Sequence, residues 1–148
     1  MKNEMKIKIG TYTELGAAAD ELRRKIFIEE QKVPEEEVFD GLSEQCSHVV
    51  IFDCNIPVAT ARLIQSGKSW RIGLVAVDQS RRGQHLGEKV MRTSMNYILS
   101  RGGEEILLTA QLQARGFYEK LGFHSCGENQ VFESGFILVP MKFTPGSQ

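Results

Sequence analysis

The stretch Val75-Ala76-Val77-Asp78-Gln79-Ser80-Arg81-Arg82-Gly83-Gln84-His85-Leu86-Gly87 decides how this chain is read. An apolar strand feeds a polar, glycine-bearing turn, and a helical pattern opens at Leu86. The first N–H groups of a helix have no acceptor inside it, and the positive end of the helix dipole lies there. Strand, turn and helix start together make an anion site. Arg81 and Arg82 add positive charge in the turn, and Lys89 and Arg92 follow in the helix. A solvated basic helix start is the plainer reading of the same residues. No Gly-Lys-Ser/Thr follows, as a Walker loop requires, and the Gly-x-Gly-x-x-Gly dinucleotide pattern is absent.

Upstream, Lys6–Thr11 alternates Ile7 and Ile9 with lysines, as a half-buried strand does. Thr13 is placed to cap a helix whose apolar positions Leu15, Ala19, Leu22 and Ile26 share one face. That helix should run toward Gln31 and stop before Pro34. Residues 35–47 read as acidic and irregular. His48–Asp53, Val58–Gln65 and Trp70–Val77 read as strands of an antiparallel meander, with turns at Asp53-Cys54-Asn55 and Ser66-Gly67-Lys68.

Downstream, the helix opened at Leu86 buries Val90, Met91, Tyr97 and Ile98 and ends at Gly102-Gly103. Ile106-Leu107-Leu108 suits a strand covered on both faces. Gln113–Leu121 reads as a compact helix closed by Gly122. Phe136–Phe143 reads as a last strand, placed near an edge by Pro140. The order describes an α/β chain with a mixed sheet, in one domain over residues 1–148.

Composition narrows the class. A net charge of −1 lacks the basic footprint of a nucleic-acid binder. No apolar run approaches the roughly 18 residues of a membrane span, and the polar start Met1–Glu4 does not read as a signal peptide. Cys46, Cys54 and Cys126 have neither paired nor metal-type spacing, so reduced thiols in a cytoplasm are the simplest reading and no metal is expected.

With Arg82-Gly83-Gln84-His85-Leu86-Gly87 in view, the chain resembles the GNAT superfamily of acetyltransferases. Its pyrophosphate loop reads Arg/Gln-x-x-Gly-x-Gly/Ala after the fourth strand. Arg82 and Gly87 match, and His85 stands where the first glycine is expected. A side chain there could crowd the phosphate, demand a different backbone angle, or add a donor. The resemblance implies a mixed sheet of six to seven strands, flanked by about four helices and splayed between strands 4 and 5. It also implies acetyl-CoA as cosubstrate, with Val75, Ala76 and Val77 along the pantetheine arm. A backbone N–H near Val77, at a bulge, would meet the thioester oxygen.

A second resemblance lies in Ala110-Gln111-Leu112-Gln113-Ala114-Arg115-Gly116-Phe117-Tyr118-Glu119-Lys120-Leu121-Gly122-Phe123. In the family this helix follows the splayed strand and carries the tyrosine that protonates the departing thiolate. That position is Tyr118, and Gln111, Ala114 and Phe117 would line the coenzyme. A tyrosine of ordinary pKa about 10 is still protonated at neutral pH, against about 8.5 for a thiol. Packing alone is the plainer role for Phe117 and Tyr118.

The first third resembles the ElaA-like branch, through Arg24-Lys25-Ile26-Phe27-Ile28-Glu29-Glu30-Gln31-Lys32-Val33-Pro34, Asp40, Ser47-His48-Val49-Val50, Thr60-Ala61-Arg62 and Phe132-Glu133-Ser134-Gly135. The branch usually carries a histidine in its last strand, and Phe136-Ile137-Leu138 has none. Acceptor-side residues implied by the match are Phe27, Glu30, Glu37, His48 and Arg62. Seven acids between Glu29 and Glu44 face one base, Lys32. Such a segment would attract a cationic amine, or be a solvated loop. An alkyl ammonium is about 99.9% protonated near pH 7, so the reaction needs a base. His48 is the leading candidate, with Glu30 and Glu37 behind it.

The expectation is an N-acetyltransferase that moves an acetyl group to a small-molecule or peptide amine by direct attack in a ternary complex. The alternative is a catalytically silent acyl-CoA-binding module. No nucleic-acid or membrane partner is expected. GNAT domains often form homodimers, although no apolar stripe in the sequence argues for one.

Overall fold

The computed structural model describes residues 5–132 and 135–146, so Glu133 and Ser134 of the ElaA-like signature lie outside the described residues. The chain forms two compact units, Met1–Ile64 with Ile72–Ser94, and Gln65–Arg71 with Met95–Gln148. It passes from one to the other within two strands and within a helix. Among the described residues there are eight strands, β1 (Met5–Thr11), β2 (Ser47–Asp53), β3 (Ile56–Ser66), β4 (Ser69–Val77), β5 (Glu105–Gln111), β6 (His124–Ser125), β7 (Gln130–Val131) and β8 (Ile137–Phe143), in the order β1-β2-β3-β4-β5-β8-β6, with β7 also on β8. No helix among the described residues is long and apolar enough to cross a membrane.

In the first unit, β1 (Met5–Thr11) runs straight into helix α1 (Tyr12–Arg23). The cap is Thr11, two residues before the threonine expected from the sequence. Its hydroxyl accepts from the Glu14 N–H, and the Glu14 carboxylate accepts from the Thr11 N–H at 2.8 Å. That reciprocal pair is a capping box. Thr13 cannot form one, because Gly16 stands three residues on. Beyond Arg23 the helix widens into a π-helical segment, Arg24–Glu30, closed by a Gln31 N–H to Ile26 carbonyl bond of 3.0 Å.

The acidic stretch is less irregular than its composition suggests. It holds a short helix, α2 (Glu35–Val38), and a 3₁₀ turn at Ser43–Gln45. Strand β2 (Ser47–Asp53) pairs antiparallel with β1 and with β3 (Ile56–Ser66). Leu15 and Ala19 of α1 pack on Val50, and Leu22, Ile26 and the half-buried Phe27 pack on Ala76. These contacts follow the four-three-four apolar spacing of the helix.

Strand β4 (Ser69–Val77) pairs in parallel with β5 (Glu105–Gln111) at Ser69↔Glu105, Trp70↔Ile106 and Arg71↔Leu107. That ladder covers only the first three residues of β4. Helix α3 (Leu86–Ser100) ends where Gly102 turns with φ 80°. Gly103 follows, and a Cβ there would lie 2.5 Å from Ile98 and 3.0 Å from the Trp70 ring.

In the second unit, a 3₁₀ turn (Leu112–Ala114) leads from β5 into α4 (Arg115–Lys120), so the helix expected over Gln113–Leu121 is shorter. The last strand, β8 (Ile137–Phe143), is not at an edge. It pairs with β5 on one side, and with β6 (His124–Ser125) and β7 (Gln130–Val131) on the other. These two-residue strands raise the strand count above the expected six to seven. Pro140 is tolerated because its carbonyl accepts from the Cys126 N–H, on the side where β6 and β7 leave a gap. A strand residue's N–H and C=O point the same way, so the missing donor faces that gap.

Candidate active site

The loop after β4 is built on acid–base anchors. Asp78 accepts from the Ser80 N–H at 3.1 Å and from Lys25 Nζ at 3.1 Å, and its own N–H donates to the Val58 carbonyl at 2.9 Å. Its carboxyl is held below the usual range by the Ser80 and Lys25 bonds, although burial opposes them. Arg81 pairs with the buried Asp53. Arg82 donates Nε–H to the Val77 carbonyl at 3.2 Å and both Nη groups to Glu30, at 2.6 and 2.9 Å.

The chain then turns through Gly83 at φ 86° and His85 at φ 63°, and enters α3 with Lys89 N–H on the His85 carbonyl at 3.1 Å. The backbone angle at His85 is the left-handed one that the glycine of the family's loop would take without strain. The side chain stands exposed, and the segment 82–85 faces solvent. The N–H groups of Leu86, Gly87 and Glu88 open the helix without intrahelical acceptors. These features fit a pyrophosphate held by backbone donors. Ala76 is buried, so of Val75, Ala76 and Val77 only the two valines present side chains outward.

The backbone break in β4 lies upstream of the expected place near Val77. Leu74 sits at φ 48° inside the strand, a left-handed angle that strains a leucine. The residue before it is Gly73, and a glycine inside a strand pattern is a sequence signal for such a break.

The acceptor-side residues separate into four groups. Glu30 belongs to the loop through Arg82, rather than lying opposite it, and this ion pair draws its carboxyl below the usual range. Phe27 packs in the Leu22–Ile26–Ala76 cluster. Glu36 and Glu37 stand exposed on α2. His48 and Arg62 lie in a buried polar network.

In that network Arg62 holds Asp40 with two bonds of 2.9 and 3.0 Å and reaches Ser43 Oγ at 3.3 Å. His48 is fully buried. Arg23 Nη2 donates to its Nδ1 at 2.9 Å, and its Nε2–H donates to the Ser43 carbonyl at 2.8 Å. Arg23, equally buried, also reaches Asp20 at 3.3 Å, and Tyr12 donates its hydroxyl to the same carboxylate. Burial pushes the His48 pKa down, and the nearby Arg23 and Arg62 charges add to this. A neutral histidine with both nitrogens engaged has no lone pair to offer an acceptor amine. His48 is thus held inside the network by both ring nitrogens. Arg23 escaped the sequence reading because a cation in the last turn of a helix normally faces water.

In the second unit, Phe117, Tyr118, Phe123 and Phe143 form a chain of ring contacts, with successive centroids 5.0, 6.2 and 5.7 Å apart. Gly122 at φ 102° lets Phe143 approach to 3.0 Å of where a Cβ would be. Burial alone pushes the Tyr118 phenol up to about 12. Beside this helix, Leu112, Gln113, Gly135, Phe136 and Ile137 line an open pocket of about 300 Å³. Among the described residues, no group of three or more His, Cys, Asp or Glu has a metal-holding arrangement.

The chain is similar to known proteins over nearly its whole length. The uncharacterized N-acetyltransferase YjcF of Bacillus subtilis (strain 168) is 28% identical over 140 residues, 95% of this chain and 94% of its own length. Escherichia coli ElaA shares the fold with a TM-score of 0.85 at 23% identity, over 95% of this chain and 99% of its own. An aminoglycoside 6′-N-acetyltransferase solved with coenzyme A shares it with a TM-score of 0.77 at 19% identity, over 97% and 98%. The acetyltransferase (GNAT) domain matches residues 10–145, through both compact units. The chain belongs to the GNAT acetyltransferase family.

Proposed function

We propose that residues 1–148 work as one cytoplasmic N-acetyltransferase domain, moving an acetyl group from acetyl-CoA to a primary amine by direct attack in a ternary complex. The turn through Gly83 and His85 into the free N–H groups of α3 carries this reading. The coenzyme supplies the acyl group as a thioester. In the first unit, residues Arg82–Gly87 bind its pyrophosphate mainly through backbone donors and Val75 and Val77 contact the pantetheine; the coenzyme contacts carried by the second unit are Gln111, Ala114 and Phe117. A backbone N–H beside Leu74 is the donor to the thioester oxygen, where it stabilises developing negative charge.

Tyr118 holds a proton at its phenolic oxygen for the departing thiolate. A phenol near 12 keeps that proton throughout the neutral range, so it first serves as a hydrogen-bond donor to the charge building on sulfur. The exposed carboxylates Glu36 and Glu37 draw in a cationic acceptor. With His48 engaged, the exposed Glu37 stays as a base candidate. Three free cysteines, Cys46, Cys54 and Cys126, fit a reducing compartment.

Calorimetry with coenzyme A, followed by an acetyl-CoA-dependent screen of small amines, polyamines, aminoglycosides and peptide N-termini read by thiol release, tests the proposal. Binding with turnover supports it. Binding without turnover over the whole panel would favour the silent module, and no binding would remove the basis for either reading.

A further inference from the structure

The loop after β4 has three cations near its turn, and each already holds an internal carboxylate: Lys25 with Asp78, Arg81 with Asp53, and Arg82 with Glu30. In these three pairs an incoming phosphate meets positive charge that is already matched. The three carboxylates differ in how tightly they are built in. Asp53 and Asp78 are buried, and Asp78 also caps the turn at Ser80. The Glu30 side chain is 29% exposed and its Arg82 partner 41% exposed. Glu30 sits in the last position of the π-helical segment, ahead of Lys32 at φ 61°.

We propose that Glu30 occupies Arg82 as an exchangeable internal anion, that coenzyme pyrophosphate displaces it, and that the released carboxylate then meets the ammonium of the acceptor. The proposal rests on the coenzyme reading above. The Arg82–Glu30 pair is bidentate, and a phosphate offers the guanidinium the same fork with more negative charge. Both partners are partly exposed, so the pair is open to exchange, and Glu30 competes with the coenzyme for Arg82. Arg82 keeps its Nε–H bond to the Val77 carbonyl throughout, so the guanidinium stays aimed at the loop while its Nη face changes partner. The consequence is an order of events. Before coenzyme binds, Glu30 is neutralised by Arg82 and offers nothing to a cation, and afterwards it is a free anion. In this scheme Glu30 gathers the acceptor.

Calorimetric titration of coenzyme A into the wild type, Glu30→Gln and a control, Glu21→Gln on the exposed face of α1, tests the exchange. Removing the competitor should tighten coenzyme binding about fivefold in Glu30→Gln, the scale of one surface ion pair, with no change in the control. A carboxyl-detected NMR titration of Glu30 gives a second readout: its depressed pKa should rise toward the ordinary glutamate range when coenzyme saturates the protein. Equal or weaker binding by Glu30→Gln, or a Glu30 titration unmoved by coenzyme, overturns the exchange while leaving the coenzyme reading intact. Absence of coenzyme binding in all three proteins overturns the two together.

Discussion

Arg23 Nη2 lies 2.9 Å from His48 Nδ1, and a guanidinium can only donate, so this contact fixes His48 as the neutral Nε2–H tautomer. Protonation would set two donors against each other in a buried site. The folded-state pKa of His48 lies below its ordinary value. Its contribution to stability is therefore complete above the unfolded value of about 6.5 and is lost as pH falls toward the folded value. Urea unfolding from pH 7.5 to 5 should show wild-type stability falling by up to about 1.4 kcal/mol per pH unit from this proton, and a shallower slope in His48→Gln. Equal slopes would mean that His48 does not titrate differently on unfolding. The depressed carboxyls of Asp40, Asp78 and Glu30 act in a lower window, below about pH 4.

Tyr118→Phe keeps the ring contacts with Phe117 and Phe123 and removes only the proton. Under chemistry-limited conditions kcat should fall by about 10²–10⁴-fold while coenzyme affinity barely changes. A change in KM with kcat intact would make Tyr118 a binding residue. With the phenol near 12, no loss of rate from its ionisation should appear between pH 6 and about 10.

Two left-handed residues can be probed through their backbones. At His85, φ 63°, glycine should be tolerated or stabilising by up to about 1 kcal/mol, and valine should cost about 1–2 kcal/mol. At Leu74, φ 48°, Leu74→Val should likewise destabilise by about 1–2 kcal/mol, because a β-branched residue resists that angle. Thermal melts read both pairs. A valine at position 74 with unchanged melting and unchanged acetyl transfer would show that the break in β4 is dispensable.

Neutralising Glu36 and Glu37 together should raise the acceptor KM several-fold and flatten its dependence on salt, since exposed charges act through a screened field. Steady-state kinetics with an amine identified in the thiol-release screen would read this. An acceptor that proves anionic, or a salt dependence unchanged in the double variant, would leave α2 as a solvated segment.

The strand–turn–helix around Arg82–Gly87 was legible because its signals are local: apolar alternation, a glycine and a helical stripe follow one another. The packing of Leu15, Ala19, Leu22 and Ile26 followed from spacing in the same way. Partnerships across the chain were not legible. Glu30 reads as one acid among seven until Arg82 arrives from 52 residues away. Arg23 reads as a solvated end-of-helix cation until His48 arrives from 25 residues away. The cap at Thr11 was readable from Glu14 three residues on, and weighing that pair against Thr13 would have found it. Pro140 misled because a proline argues against a central position only when its missing donor faces a partner, and here it faces a gap.

The outer strands bear on self-association. β1 carries Lys6 and Lys8 on exposed positions, and Lys8 Nζ lies 5.4 Å from the centre of the Phe52 ring. Charge on such a margin opposes the addition of a further strand from another molecule. β6 and β7 offer only two residues each, separated opposite Pro140. Neither margin is a good template for a neighbouring copy, so a homodimer of this chain would have to be assembled through side-chain surfaces rather than by prolonging the sheet, and concentrated solutions should resist cross-β growth from the native state.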